Sequence, residues 1–167
     1  MTLEVDVLAL FPAVDVTAPL FFLVYGGVLL SFLALLPHPQ ALVVGFRSYG
    51  WVAFLRSVTL LLTPLDPPAG MILLRDPIVE ATVHGAVAPT RDLFFSGHTS
   101  TLLLVALVTP GRRVKTALAT AAVLVGTMVL LQKVHYTIDV VCALPFALTA
   151  AWIGRAFPRR RAAAPAA

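Results

Sequence analysis

Two histidines and one aspartate carry the chemistry that this sequence offers. His98 stands in Phe95-Ser96-Gly97-His98-Thr99, and His135 in His135-Tyr136-Thr137-Ile138-Asp139. On a helix, positions i and i+4 share a face. Asp139 therefore lies where its carboxylate can orient and polarise the His135 imidazole. A histidine backed by a carboxylate can act as nucleophile or base, and a second histidine can carry a proton to or from a leaving group. Ser96-Gly97 opens a helix, and the free amides at a helix start bind anions. A metal site is the weaker rival. It needs a further ligand, and His84 is the only other histidine on that side of the chain's topology. The single cysteine, Cys142, allows neither an internal disulfide nor a cysteine-based zinc site.

The elements that position these residues belong to a membrane. The chain has 167 residues, of which 59% are hydrophobic and 12% charged, against roughly 25% charged in soluble proteins. Mean hydropathy is +0.94. A soluble enzyme, a disordered chain and a nucleic-acid-binding domain are excluded. A bilayer span needs about 20 apolar residues, and five runs qualify: roughly 18–36, 41–63, 94–110, 116–132 and 137–156. The expected fold is all-α, a polytopic bundle of five spans. Residues 1–17 form an N-terminal interfacial segment, 18–157 the membrane-embedded domain, and 158–167 a basic disordered tail.

The basic residues orient the bundle. The turn Gly111-Arg112-Arg113-Val114-Lys115 and the tail, with Arg155, Arg159, Arg160 and Arg161, are separated by two spans and share a side. The positive-inside rule makes that side cytoplasmic. Between His98 and His135 the chain has room for one span, a turn and a return, so both histidines reach the outer face. Arg56 lies about 22 Å along the second span, in its outer third, at 1.5 Å per residue. Arg91 and Lys133 lie just outside spans. Each of the three is read either as an interfacial anchor or as a partner for an anionic phosphate, which suits arginine's bidentate fork.

At these residues the sequence resembles the type 2 phosphatidic acid phosphatase superfamily, and more narrowly its sphingomyelin synthase-like branch. Asp92 to Thr99 is similar to that branch's third motif, His135 to Val140 to its fourth, and Arg56 to Thr63 to its second. The Ser-Arg pair that precedes the second histidine in the phosphatases is replaced by Met128-Val129, and no Lys-x6-Arg-Pro motif stands upstream. Both departures favour the synthase-like branch. Thr90-Arg91 stands where that branch often carries Cys-Gly.

The resemblance implies a His98–His135–Asp139 triad working without a metal or other cofactor. His135 would form a phosphohistidine, and His98 would serve as acid and then base. Arg56, Arg91, Lys133, Ser96 and Gly97 would hold the phosphate. The implied partners are a phospholipid donor and a lipid alcohol acceptor within the bilayer, with no nucleic acid and with homo-oligomerisation left open. The alternatives are a lipid phosphate or pyrophosphate phosphatase that uses water, and a non-catalytic scaffold or lipid-binding protein. Arginine outnumbers lysine and the loops are short, which points to a bacterial cytoplasmic membrane, with the site facing outward.

Overall fold

A computed structural model describes residues 12–63, 66, 68, 70–78 and 94–156. Most of the expected N-terminal interfacial segment, Arg91, His84 and the basic tail lie outside the described residues. Among the described residues there are five helices and no strands: α1 (Thr17–Leu35), α2 (Pro39–Leu62), α3 (Gly97–Val108), α4 (Arg112–Leu131) and α5 (Thr137–Ala156). Three of them, α1, α4 and α5, are long and apolar enough to cross a membrane by length and composition alone. The α2 helix has 24 residues but carries Arg47 and Arg56. The α3 helix has only 12 residues, about 18 Å at the helical rise.

The helix limits differ from the hydropathy runs for local reasons. Pro39 begins α2 instead of closing the turn before it, because a proline at the first helical position loses no hydrogen bond. The α3 helix starts at Gly97 and not at 94, since Phe95 has φ 39° and Ser96 serves as the N-cap. The α4 helix takes Arg112, Arg113 and Lys115 into its first turns. Hydropathy stops at charges, whereas helical hydrogen bonding does not.

The α3 helix is the shared element. On one side it packs with α2 and α5 around Val52, Phe95, Leu104, Val108, Ala147 and Ala151. On the other it packs with α1 and α4 around Leu20, Phe21, Leu102, Ala122 and Val125. Small residues let the helices approach, as is usual in membranes. A Cβ on Gly27 would stand 2.5 Å from Leu102 Cδ2, and one on Gly154 would stand 2.1 Å from Ser48 Oγ. The outer surfaces are as apolar as the core: Phe22 is 78% exposed, Leu61 83% and Trp152 70%. Water would penalise such a surface and lipid does not, so the chain is an integral membrane protein.

Contacts at the two ends establish the alternation of the helices. At one end, Gln132 donates to the Thr17 hydroxyl at 2.8 Å, and Arg56 donates to the Phe95 carbonyl. The Ile72 amide donates to the Gln132 carbonyl at 3.1 Å, which fastens the segment between α2 and α3 to the turn between α4 and α5. At the opposite end, the hydroxyls of Ser31 and Thr109 meet at 2.7 Å, and Arg155 donates to the Leu107 carbonyl at 2.9 Å. Both histidine motifs belong to the first end. Arg112, Arg113 and Lys115 belong to the second.

Candidate active site

The first motif is built by a helix start. The Ser96 hydroxyl accepts from the Thr99 amide at 3.4 Å and from the Thr99 hydroxyl at 3.0 Å, which is the N-capping role that serine favours. His98 therefore sits in the first turn of α3, half-buried, with its ring edge-to-face against Phe21 at 5.6 Å between centroids. Phe95 is fully buried and stacks on Phe146 with centroids 4.4 Å apart. That packing holds its backbone in the left-handed region, uncommon for a phenylalanine.

Arg56 reaches this start from α2. Its guanidinium donates to the Phe95 carbonyl and lies 5.7 Å from the Phe95 ring centroid. It also lies flat against Gly97, where a Cβ would stand 3.0 Å from Cζ and from Nη1. A Cβ there would push the guanidinium back by a few tenths of an ångström, so the glycine of this motif has a steric reason in the structure. A fixed positive charge thus sits beside the amides of a helix N-terminus, an arrangement that suits an anion.

The second motif is built by the start of α5. His135 is 2% exposed, and its Nδ1 lies 3.6 Å from Oδ2 of Asp139, which is itself fully buried. The same Oδ2 accepts from the Tyr136 amide at 2.8 Å, and the first turn of a helix favours negative charge. The Ser96 amide donates to the Asp139 carbonyl at 3.1 Å, so main chain joins the starts of α3 and α5.

Of the residues singled out in the sequence, Arg56, Ser96, Gly97 and His98 are gathered at the start of α3, and His135 and Asp139 at the start of α5. Lys133 lies elsewhere in this end of the bundle. It adopts φ 56°, and its Nζ lies 3.9 Å from where a Cβ on Gly70 would stand. Among the described residues no three His, Cys, Asp or Glu side chains come together as a metal site requires.

Two further polar groups adjoin this place. The Tyr25 hydroxyl, on α1, donates to Oδ1 of Asp76 at 2.6 Å, and the Tyr25 ring stacks on Phe21, the residue against which His98 packs. Tyrosine inside an otherwise apolar span is the signal that marks it, since a buried hydroxyl needs a partner. Tyr25, Asp76, Arg56, Gly97 and His98 all line one end of a cavity of about 580 Å³ between α1, α2 and α3. Away from them its walls are almost wholly apolar, with Val24, Phe46, Leu104 and Val108 among them. The volume is within the usual range for a small-molecule site, about 300–1,000 Å³.

Residues 91–155 match the family described as PAP2 superfamily C-terminal. The match covers less than half of the 167 residues and takes in α3, α4 and nearly all of α5. It includes both histidine motifs, and it supports the type 2 phosphatidic acid phosphatase superfamily rather than any one branch of it. Together with the apolar helices it supports a membrane enzyme of the lipid phosphatase or phosphotransferase type. No curated protein and no solved structure matches the chain.

Proposed function

We propose that the chain moves a phosphorylated head group from a glycerophospholipid to a lipid alcohol such as a ceramide or a diacylglycerol. The resemblance to the sphingomyelin synthase-like branch implies this finer assignment. One observation carries it furthest: the Arg56 guanidinium lies on Gly97, next to His98, at the head of an apolar cavity. A phosphate-binding cation, a proton carrier and space for hydrocarbon meet there.

In this reading the Asp139 carboxylate addresses Nδ1 of His135, and Nε2 is the nucleophile. Nε2 attacks phosphorus, the bond from phosphorus to the diacylglycerol oxygen breaks, and His98 protonates the departing oxygen. The phosphorylated head group is then held on His135. In the second step the acceptor hydroxyl gives its proton to His98 and its oxygen attacks phosphorus, releasing Nε2. Dividing one difficult displacement into two is the advantage of covalent catalysis. Arg56 and the amides at the start of α3 balance the charge on the phosphoryl oxygens. The site faces outward from a bacterial cytoplasmic membrane, with the C-terminus inside.

A second reading has water as the acceptor, and the match of residues 91–155 to a phosphatase superfamily favours it. One experiment separates the two. Purified protein is incubated with phospholipid labelled in its phosphate, with and without ceramide or diacylglycerol, and portions are quenched in alkaline detergent, which preserves a phosphorus–nitrogen bond. Label passing to the added lipid alcohol establishes transfer. Water-soluble label that forms equally without the alcohol establishes hydrolysis. No product and no labelled His135 would leave a non-catalytic lipid-binding protein.

A further inference from the structure

The cavity has a second end, opposite the arginine and the histidine, and its construction is specific. Gly45 on α2 lies there. A Cβ on it would stand 3.7 Å from Leu35 Cδ1 and 3.7 Å from Val108 Cγ2, so the last turns of α1 and α3 converge on this glycine. All three residues line the cavity. Two glycines therefore stand towards the cavity's two ends: Gly97, against which Arg56 lies, and Gly45, facing Val108, with Leu42 lining the wall beyond it. The separation of the two can be measured along the helices. From Gly97 to Val108 on α3, and from Arg56 to Gly45 on α2, the distance is eleven residues, about 17 Å at the helical rise.

We propose that this cavity holds one acyl chain of the substrate and that Gly45 sets the length of chain accepted. The inference rests on the reading that the substrate is a lipid with a phosphate at its head. Arg56 at one end suits the phosphate, and the mainly apolar walls suit hydrocarbon. An extended chain of tetrahedral carbons advances about 1.3 Å per bond, given carbon–carbon bonds of about 1.5 Å. The cavity therefore takes about a dozen carbons before the chain reaches Gly45. With no side chain there, the terminal methyl finds space between α1, α2 and α3. Leucine at this position would fill that space. Alanine would fit, because its Cβ meets neighbours only at ordinary contact distance.

The test measures kcat/KM for a series of phospholipids of one head group and increasing chain length, in mixed micelles. The wild-type value should rise to about a dozen carbons and fall for longer chains. Gly45→Leu should lower kcat/KM for a twelve-carbon chain by about tenfold, the scale of a few misplaced methylenes in a pocket, and leave a six-carbon chain unchanged. Gly45→Ala should show a smaller effect of the same pattern. Equal losses at every chain length, or none, would overturn the proposal.

A second measurement does not depend on turnover. A twelve-carbon phospholipid carrying a diazirine at its terminal carbon is photolysed with the protein. Adducts should fall around Leu35, Gly45 and Val108 and diminish in Gly45→Leu. Adducts confined to lipid-facing residues such as Phe22 and Trp152 would overturn the proposal. Adducts at Gly45 without turnover would keep the chain site and remove the reaction. Turnover that ignores chain length would keep the reaction and remove the chain site.

Discussion

The pair α1–α2 and the trio α3–α4–α5 are built differently. In the trio α4 and α5 pack on opposite sides of α3; the trio contains both histidine motifs and the aspartate, and coincides with the residues that match the phosphatase superfamily. Its two motif-bearing helices are joined by main chain, from the Ser96 amide to the Asp139 carbonyl. The pair falls outside the match. Its helices diverge, and between them and α3 lies the cavity of about 580 Å³. What the pair contributes is Arg56, Tyr25 and apolar wall. Under the proposed function the contrast becomes a division of labour, with bond-making on the trio and most of the lipid recognition on the pair.

Substitutions can break or sharpen that division. The largest effects should come from the trio. His135→Ala should abolish both turnover and the base-stable, acid-labile label on the protein. His98→Ala should lower kcat by about 10²- to 10⁴-fold, the usual contribution of a positioned acid or base. Label found on His98 in place of His135 would exchange their roles. A variant of the trio that changed only KM would contradict the division.

Arg56→Lys comes next. It replaces a planar fork by a point charge, and hydrogen bonds to charged groups contribute about 1.5–3 kcal/mol. We expect kcat/KM to fall by about ten- to a hundredfold, mainly through KM, with folded protein recovered in similar yield. Full activity would return Arg56 to the role of an interfacial anchor.

The seam between the pair and the trio is tested by Gly154→Ala. Its Cβ would stand 2.1 Å from Ser48 Oγ, so the serine hydroxyl must turn away and α2 and α5 must yield by a few tenths of an ångström. Overpacking of this kind costs about 1–3 kcal/mol, read as a lower Tm in detergent. Adding Ser48→Gly should restore most of it. If the double variant is no better, the seam is not where the strain falls.

The smallest effect should come from Asp15, before α1. Hydrogen bonds from the Thr17 amide and hydroxyl hold its carboxyl below the usual carboxylate range. A lowered pKa stabilises the fold above the ordinary value, and this stabilisation is lost as the pH falls through the lowered one. Asp15→Asn and the wild type should therefore melt alike in acid and differ slightly at neutral pH.

Hydropathy locates all five helices in the sequence to within about a turn, because burial in lipid requires long apolar runs. It is blind where the limit is set by a backbone angle, as at Phe95, or where charges continue a helix, as at Arg112. The candidate site was legible as residue types and spacing: the i, i+4 relation of His135 and Asp139, the helix-opening Ser96-Gly97, and the depth of Arg56. The direction of Lys133 was not, because a left-handed backbone at a lysine has no local signal. Nor was the bond from Tyr25 to Asp76, which joins positions 51 residues apart. The close approaches at Gly27, Gly45 and Gly154 are visible only as small residues in spans. Which neighbour each one admits depends on how the helices cross.

The position of Arg56 along α2 bears on where the chemistry lies in the membrane. Six residues follow it before the helix ends at Leu62, about 9 Å of helix at 1.5 Å per residue. The last two, Leu61 and Leu62, are 83% and 74% exposed, and hydrocarbon is the solvent that tolerates them. The guanidinium is thus sunk beneath the level where the lipid tails end. In the proposed reaction the substrate's head group must reach that depth, where α3 begins. Under the proposed function, reaction rate is then expected to be a property of the surrounding lipid as well as of the protein. Thinner bilayers bring the head groups down to the arginine, whereas thicker ones lift them away and must deform to deliver them.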